Sequence, residues 1–231
     1  MTKNNTNSIQ PLYEDNHLII VNKRSGDIVQ GDKTGDAPLS DYVKAYIKEK
    51  YNKPGDVFLG TVHRLDRPTS GIVVYARTSK ALSRMNQLFK DKEVQKTYWA
   101  VTEKAPTPPS GTLIHFLEKN QEKNKSFPVS EGRGKKAELD YQLIDHSDRY
   151  HLIEVSPRTG RHHQIRVQLA TTGAIIKGDL KYGAKRSNKD GSIHLHARKI
   201  SFIHPVKKKS ITVLAPPPED AVWDYFHQRN V

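Results

Sequence analysis

Residues 61–71, TVHRLDRPTSG, constrain this chain more than any other stretch. The β-branched and aromatic residues on either side, 57–65 and 72–76, predict two strands. Pro68 cannot donate to a ladder and Gly71 tolerates unusual backbone angles, so residues 66–71 are expected to form the connecting loop. That loop puts one carboxylate, Asp66, between Arg64 and Arg67 at a sheet edge. A carboxylate beside guanidinium groups stays ionised near pH 7, which suits a nucleophile or base and not a general acid. The alternative is a turn cap or a structural ion pair with Arg64.

Charge narrows the partner. Lys and Arg number 38 against 25 Asp and Glu, a net charge of +13 spread over the whole length, and such a surplus points to a polyanion, with nucleic acid favoured. The absence of cysteine excludes disulfides and thiolate metal sites. The N-terminus lacks an apolar core segment, and no run approaches the roughly 20 apolar residues of a membrane helix. The expectation is a cytoplasmic monomer without membrane contact. Residues 1–11, polar and Asn-rich, read as a disordered tail, and 12–231 as one continuous domain without internal repeats.

Periodicity predicts short strands at 17–22 and 27–30, then a helix capped by Ser40 and carrying Val43, Tyr46, Ile47 and Tyr51. A second helix opens at Thr78 or Ser79, with Leu82, Met85, Leu88 and Phe89 as its apolar stripe. A strand follows at 94–101. Residues 118–136, rich in Lys, Arg and Gly, read as a solvated, mobile connection, or more sharply as an RNA-touching loop. Residues 137–143 and 150–155 suit an antiparallel pair, and the stretch after them predicts a short helix crowded with donors that ends at Gly173. Further strands are expected at 194–203 and 211–215, and a last helix carries Val222, Trp223 and Phe226.

Eleven histidines invite a metal reading, above all His162-His163 and His194-x-His196. No HExxH occurs, and the carboxylate companions of a metal site are missing nearby, so structural histidines are the expectation. There is no Walker-type loop and no GxGxxG after a strand. Neither metal nor cofactor is expected.

Four motifs in order resemble those of the RluA-type RNA pseudouridine synthases: YEDNHLIIVNK at 13–23, HRLDRPTSG at 63–71, KTYWAV at 96–101, and TGRHHQIRVQLA at 159–170 followed by GDLKYG. The resemblance implies an α+β fold, a mixed, mainly antiparallel sheet with flanking helices and a central RNA-binding cleft. It implies isomerisation of uridine in ribosomal or transfer RNA, with Asp66 as nucleophile, Tyr98 against the target base and Arg166 paired with the aspartate. Arg64 is the candidate to fill the space left by a flipped base. Arg67, Arg158, Arg161, His163 and Lys181 complete the expected RNA contacts. No separate N-terminal RNA-binding module is expected. Two rivals stay open: a non-catalytic RNA-binding protein, and a metal-dependent phosphodiesterase using His63 and Asp66.

Overall fold

The run 18–23 is apolar on both faces of an extended chain, as a strand in the middle of a layered fold must be. It forms β2 (Leu18–Lys23), flanked on one side by β1 (Pro11–Glu14). The computed structural model describes residues 9–31 and 35–230. Residues 1–8 of the expected tail lie outside that range, whereas Ile9 is buried and Pro11 already opens β1. The chain divides into two units, Met1–Gln95 with Arg198–Pro218, and Lys96–Ala197 with Glu219–Val231. Sequence periodicity reports local elements and not which of them share a core, so this division leaves no mark in it.

In the first unit α1 (Leu39–Lys50) lays Leu39, Val43 and Ile47 on Ile19, Val21, Val73 and Tyr75. Ser40 is not its cap: the N-cap is Pro38, and the N–H groups of Leu39 and Ser40 donate to the carbonyls of Ile28 (2.8 Å) and Val29 (3.3 Å). Residues 27–30 are therefore not a strand; their backbone acceptors satisfy the helix end instead. Of residues 57–65 only β3 (Gly60–Thr61) is extended and paired, against the end of β4 (Ser70–Ala76), whose other edge takes β2. The helix α2 (Ser79–Lys90) is capped by Thr78, whose Oγ1 accepts from Ala81 N at 3.1 Å, as expected. It crosses β3 so closely that a Cβ on Gly60 would lie 2.6 Å from Leu82 Cδ2.

In the second unit β5 (Gln95–Thr102), β6 (Ser110–Asn120), β7 (Lys125–Val129), β8 (Lys135–His146) and β9 (His151–Pro157) pair in the order β5-β9-β8-β6-β7, every pairing antiparallel. Residues 118–136 are thus not a formless connection. They form the β6–β7 hairpin and the start of β8, with Pro128 tolerated on the edge strand. The turn is set by Asn120, whose Oδ1 accepts from Lys123 N at 2.8 Å, and by Asn124 at φ 42°. The helix α3 (Gln164–Thr171) packs Ile165 and Leu169 on Ala100, Leu139, Ile153 and Val155. The strand β10 (Leu195–Ile203) leads back into the first unit, where residues 199–203 pair with β11 (Ser210–Leu214). Last, α4 (Ala221–Arg229) is capped by Asp220 and sets Trp223 and Phe226 against Trp99, Val101 and Leu152.

Candidate active site

Asp66 lies on residues 62–69, the loop between β3 and β4, and the loop is fastened from three sides. His63 holds its start: Nε2 accepts from Val74 N at 3.1 Å, so the imidazole serves an edge N–H of β4 that lies beyond the reach of two-residue β3. Its ring stacks on Phe89 of α2 at 5.3 Å. That use of His63 is a fastening and speaks against its being a metal ligand. The far side is held by the turn after β2: Gly26 N and Lys23 Nζ donate to Arg67 O at 2.8 and 3.1 Å, and Ser25 Oγ donates to Pro68 O at 3.0 Å. Within the loop, Thr69 N donates to Asp66 O at 3.0 Å.

Arg64 and Arg67 flank Asp66 in the sequence. Arg67 turns away to Asp36, 2.7 Å distant and half-exposed like itself. Arg64 is exposed and, among the described residues, forms no ion pair. The buried cation of the loop is Lys23, 1% exposed, which also donates to Arg24 O at 2.9 Å. Burial pushes its ammonium down to about 8, an effect that attraction to Asp27 and Asp66 offsets in part. Sequence reasoning missed Lys23, although the signal was there: it is in phase with Ile19 and Val21, and so shares their face of β2.

In the second unit Tyr98 stands half-buried on β5, opposite Val155, against the apolar cluster under α3. Lys96, two residues earlier on the same face, has its pKa lowered by burial. Arg166 is no surface residue. It is 4% exposed, and its Nε and Nη2 donate to Asp179 Oδ2 and Oδ1 at 2.7 and 2.8 Å, a two-pronged pair in which Asp179 is 1% exposed. The guanidinium also sits 5.2 Å from the ring centre of Tyr182. Such an arginine is a fixed cation, held in one orientation before any ligand arrives.

Tyr182 connects this pair to the β6–β7 hairpin. Its hydroxyl lies 3.0 Å from Ser126 N, 3.1 Å from Ser126 O and 3.0 Å from His163 Nδ1. Ser126 Oγ meets His162 Nδ1 at 2.9 Å, and the two imidazoles stack at 3.8 Å. His163, expected to touch RNA, is instead 8% exposed, because it begins α3 from a left-handed conformation (φ 55°) that turns its ring inward. Burial, then the charges of Arg166 and its neighbours, push it down to about 2, so it stays neutral.

The remaining expected contacts divide. Arg158 is exposed but occupied by Asp140 (2.7 Å) and Glu138 (2.8 Å). Arg161 donates to Lys136 O at 2.9 Å, and Lys181 to Asn124 O at 3.0 Å, so both tie α3 and its following turn to the β6–β8 strands while their side chains remain at the surface.

Comparison with known proteins gives this geometry a family. The sequence model described as RNA pseudouridylate synthase matches residues 17–171. The chain is 33% identical over 222 residues to ribosomal large subunit pseudouridine synthase C of Buchnera aphidicola subsp. Schizaphis graminum, covering 93% of this chain and 68% of that one. To the protein of the same description in Vibrio cholerae it is 34% identical over 211 residues, 89% of this chain and 64% of the other. The solved structure of human RNA pseudouridylate synthase domain containing 4 superposes with a TM-score of 0.78 at 25% identity, over 95% of this chain and 92% of that one. No helix among the described residues is long and apolar enough to cross a membrane. With Asp66 on a fastened loop, Tyr98 on β5, Arg166 of α3 buried against Asp179, and with these relatives, the chain belongs to the RluA-type RNA pseudouridine synthases, enzymes that isomerise uridine to pseudouridine in RNA.

Proposed function

We propose that this enzyme acts on uridines of structured large-subunit ribosomal RNA, as a cytoplasmic monomer, with Asp66 as nucleophile. The reaction breaks the bond between N1 of uracil and C1′ of ribose and forms the bond from C1′ to C5. C5 loses its proton and N1 gains one, so the overall change is an isomerisation that balances without a co-reactant. An ionised carboxylate can open it by attack, and an aromatic surface can hold the detached base while it turns. Asp66 takes the first role and Tyr98 the second. Arg166, fixed by Asp179, is the cation that orients the site.

The target base must leave its stack, at a cost of a few kcal/mol. Arg64, exposed on the Asp66 loop and without an ion pair among the described residues, is the side chain we assign to the vacated space. Ribosomal RNA is preferred to transfer RNA because the relatives compared above are described as large-subunit ribosomal enzymes.

The observation that carries this reading is the Asp66 loop itself, whose backbone is pinned by Lys23, Ser25, Gly26 and His63 while Asp66 is only partly buried. The test incubates wild type and Asp66→Asn with protein-free large-subunit ribosomal RNA and, separately, transfer RNA, both made without modification, and counts pseudouridine by mass spectrometry. Product from wild type on ribosomal RNA alone, none from the Asn variant and no effect of a chelator is the expected result. Wild-type yield from a cooperatively melting Asn variant overturns the assignment of Asp66; loss of activity with chelator revives the metal-dependent rival.

A further inference from the structure

We propose a second RNA-binding site, a phosphate subsite formed by residues 183–193 and the turns beside it, that grips the strand away from the target uridine. It rests on the RNA reading above. The site is a cavity of about 400 Å³ whose lining includes Lys177, Lys185, Arg186, Asn188, Tyr150 and Glu103.

The frame is built, not incidental. The Asn188 side chain has four polar contacts: Oδ1 accepts from Lys177 Nζ at 2.6 Å, and the two N–H groups of Nδ2 are shared among Ser192 O at 3.0 Å, Ser192 Oγ at 3.1 Å and His194 Nδ1 at 2.9 Å. Since Nδ2 can only donate, Nδ1 of His194 accepts and its Nε2–H is left for Asp220 Oδ1, 3.1 Å away. Burial lowers the pKa of His194, so this is a neutral hydrogen bond and not a charged pair. Gly178 (φ +85°) admits the loop: a Cβ there would lie 2.7 Å from Ser192 O.

On this frame the charges are left open. Three cations face the cavity against one carboxylate, Glu103. Among the other exposed arginines of the unit, Arg158 is matched by Asp140, Arg229 by Asp145 and Arg133 by Glu118, whereas Arg149, beside Tyr150, makes no ion pair among the described residues. Lys185 and Arg186 are exposed and, among the described residues, make no ion pair or hydrogen bond. Asp190, the carboxylate within the loop, is occupied by Ser192 at 2.6 Å. Cations on a rigid loop with nothing to neutralise them fit phosphates, and Tyr150, with Lys177 Nζ 5.8 Å from its ring centre, adds an aromatic wall for a base. Glu103 follows the end of β5, five residues past Tyr98, so at about 3.3 Å per residue the subsite lies roughly 16 Å along the strand from the proposed base-binding tyrosine.

Fluorescently labelled 12-nucleotide oligouridylate, followed by anisotropy between 50 and 200 mM salt, tests this. Each phosphate contact to a single strand contributes about 0.7 to the slope of log affinity against log salt. The double variant Lys185→Ala, Arg186→Ala is expected to flatten the slope by about 1.4. The control Lys48→Ala, Lys53→Ala, which removes the same charge from the exposed end of α1, should change it far less. Tyr150→Leu should weaken binding roughly 5- to 150-fold while Tyr150→Phe retains it. Equal flattening by the control pair, or unchanged affinity in Tyr150→Leu, overturns the proposal. So does displacement of the oligonucleotide by inorganic phosphate beyond that of chloride at matched ionic strength, which marks a free-phosphate site. All these arms read binding, so they stand or fall apart from isomerisation: a wild type that fails to make pseudouridine sinks the activity assigned above and leaves this result readable.

Discussion

The Tyr182 hydroxyl lies within 3.1 Å of both the N–H and the C=O of Ser126, so a single side chain satisfies the two backbone groups that a neighbouring strand would otherwise pair. The same ring lies beneath the Arg166 guanidinium. Tyr182 is therefore a positioning residue shared by the hairpin and the fixed arginine.

Tyr182→Phe keeps the ring and removes the hydroxyl, leaving buried backbone groups of Ser126 unpaired at a cost of roughly 1–3 kcal/mol. Thermal melts should show that loss. Single-turnover assays should show the rate falling more than RNA affinity, since the basic tip of the hairpin keeps its charges. A variant with wild-type turnover would mean that hairpin and arginine are independent.

Asp179→Asn addresses the arginine directly. Removing one charge of a buried pair is strongly destabilising, and the expected loss is about 3–5 kcal/mol. Arg166→Lys should fare little better, because an ammonium cannot reproduce the two parallel bonds to Asp179. Denaturant midpoints for both variants, compared with wild type, decide the point.

His163 gives stability a pH dependence of known sign. Its folded pKa lies far below the ordinary 6.5, so below about pH 6.5 the unfolded chain takes up a proton that the folded chain refuses. Stability should then fall with falling pH, by roughly 1.4 kcal/mol per unit from this group alone. His163→Asn, which tolerates the left-handed backbone and can still bond Tyr182, should flatten urea midpoints between pH 6.5 and 4.5. An unchanged slope would assign the acid sensitivity to other histidines.

Lys23→Met tests the fastening of Asp66. The Arg24 carbonyl loses the Lys23 donor and the Arg67 carbonyl keeps only Gly26 N, and a loop displaced by about 1 Å would cost on the order of 10²-fold in turnover. The sign of its pH effect is also fixed. Since the folded ammonium titrates near 8, below the ordinary lysine range, wild type should gain stability relative to Met as pH rises from about 8 towards 10. A difference that stays flat would mean that Lys23 is no more than a spacer.

Much of the fold was legible because its signals are local. Thr78 before an apolar stripe gave α2, and the β-branched runs gave β2, β4 and β9. What escaped were features made by partners distant in sequence. Residues 27–30 look like a strand until their carbonyls are seen closing α1. The basic stretch at 118–136 reads as solvated because only alternate residues of an edge hairpin are covered, and its anchor at Ser126 is a tyrosine 56 residues later. Asp66, Tyr98 and Arg166 were found through motifs. Lys23, Asp179 and Tyr182, which hold such residues in place, carry no chemistry visible in isolation, and the pairing of Arg67 with Asp36 joins residues 31 positions apart.

The interleaving of the two units bears on how the protein is made. The strands β1 to β4 and both of their helices leave the ribosome early, but their unit lacks β11 until the chain reaches Pro218, and the other unit lacks α4 until its last residues. At about 5–20 residues per second the wait after Gln95 is on the order of 10 s. During that interval the apolar faces that β11 and α4 later cover are open, so neither unit can mature in the order of synthesis. A nascent chain of this enzyme is expected to need shelter until α4 has emerged, and a truncation before α4 would leave Trp99 and Leu152 bare in the part already made.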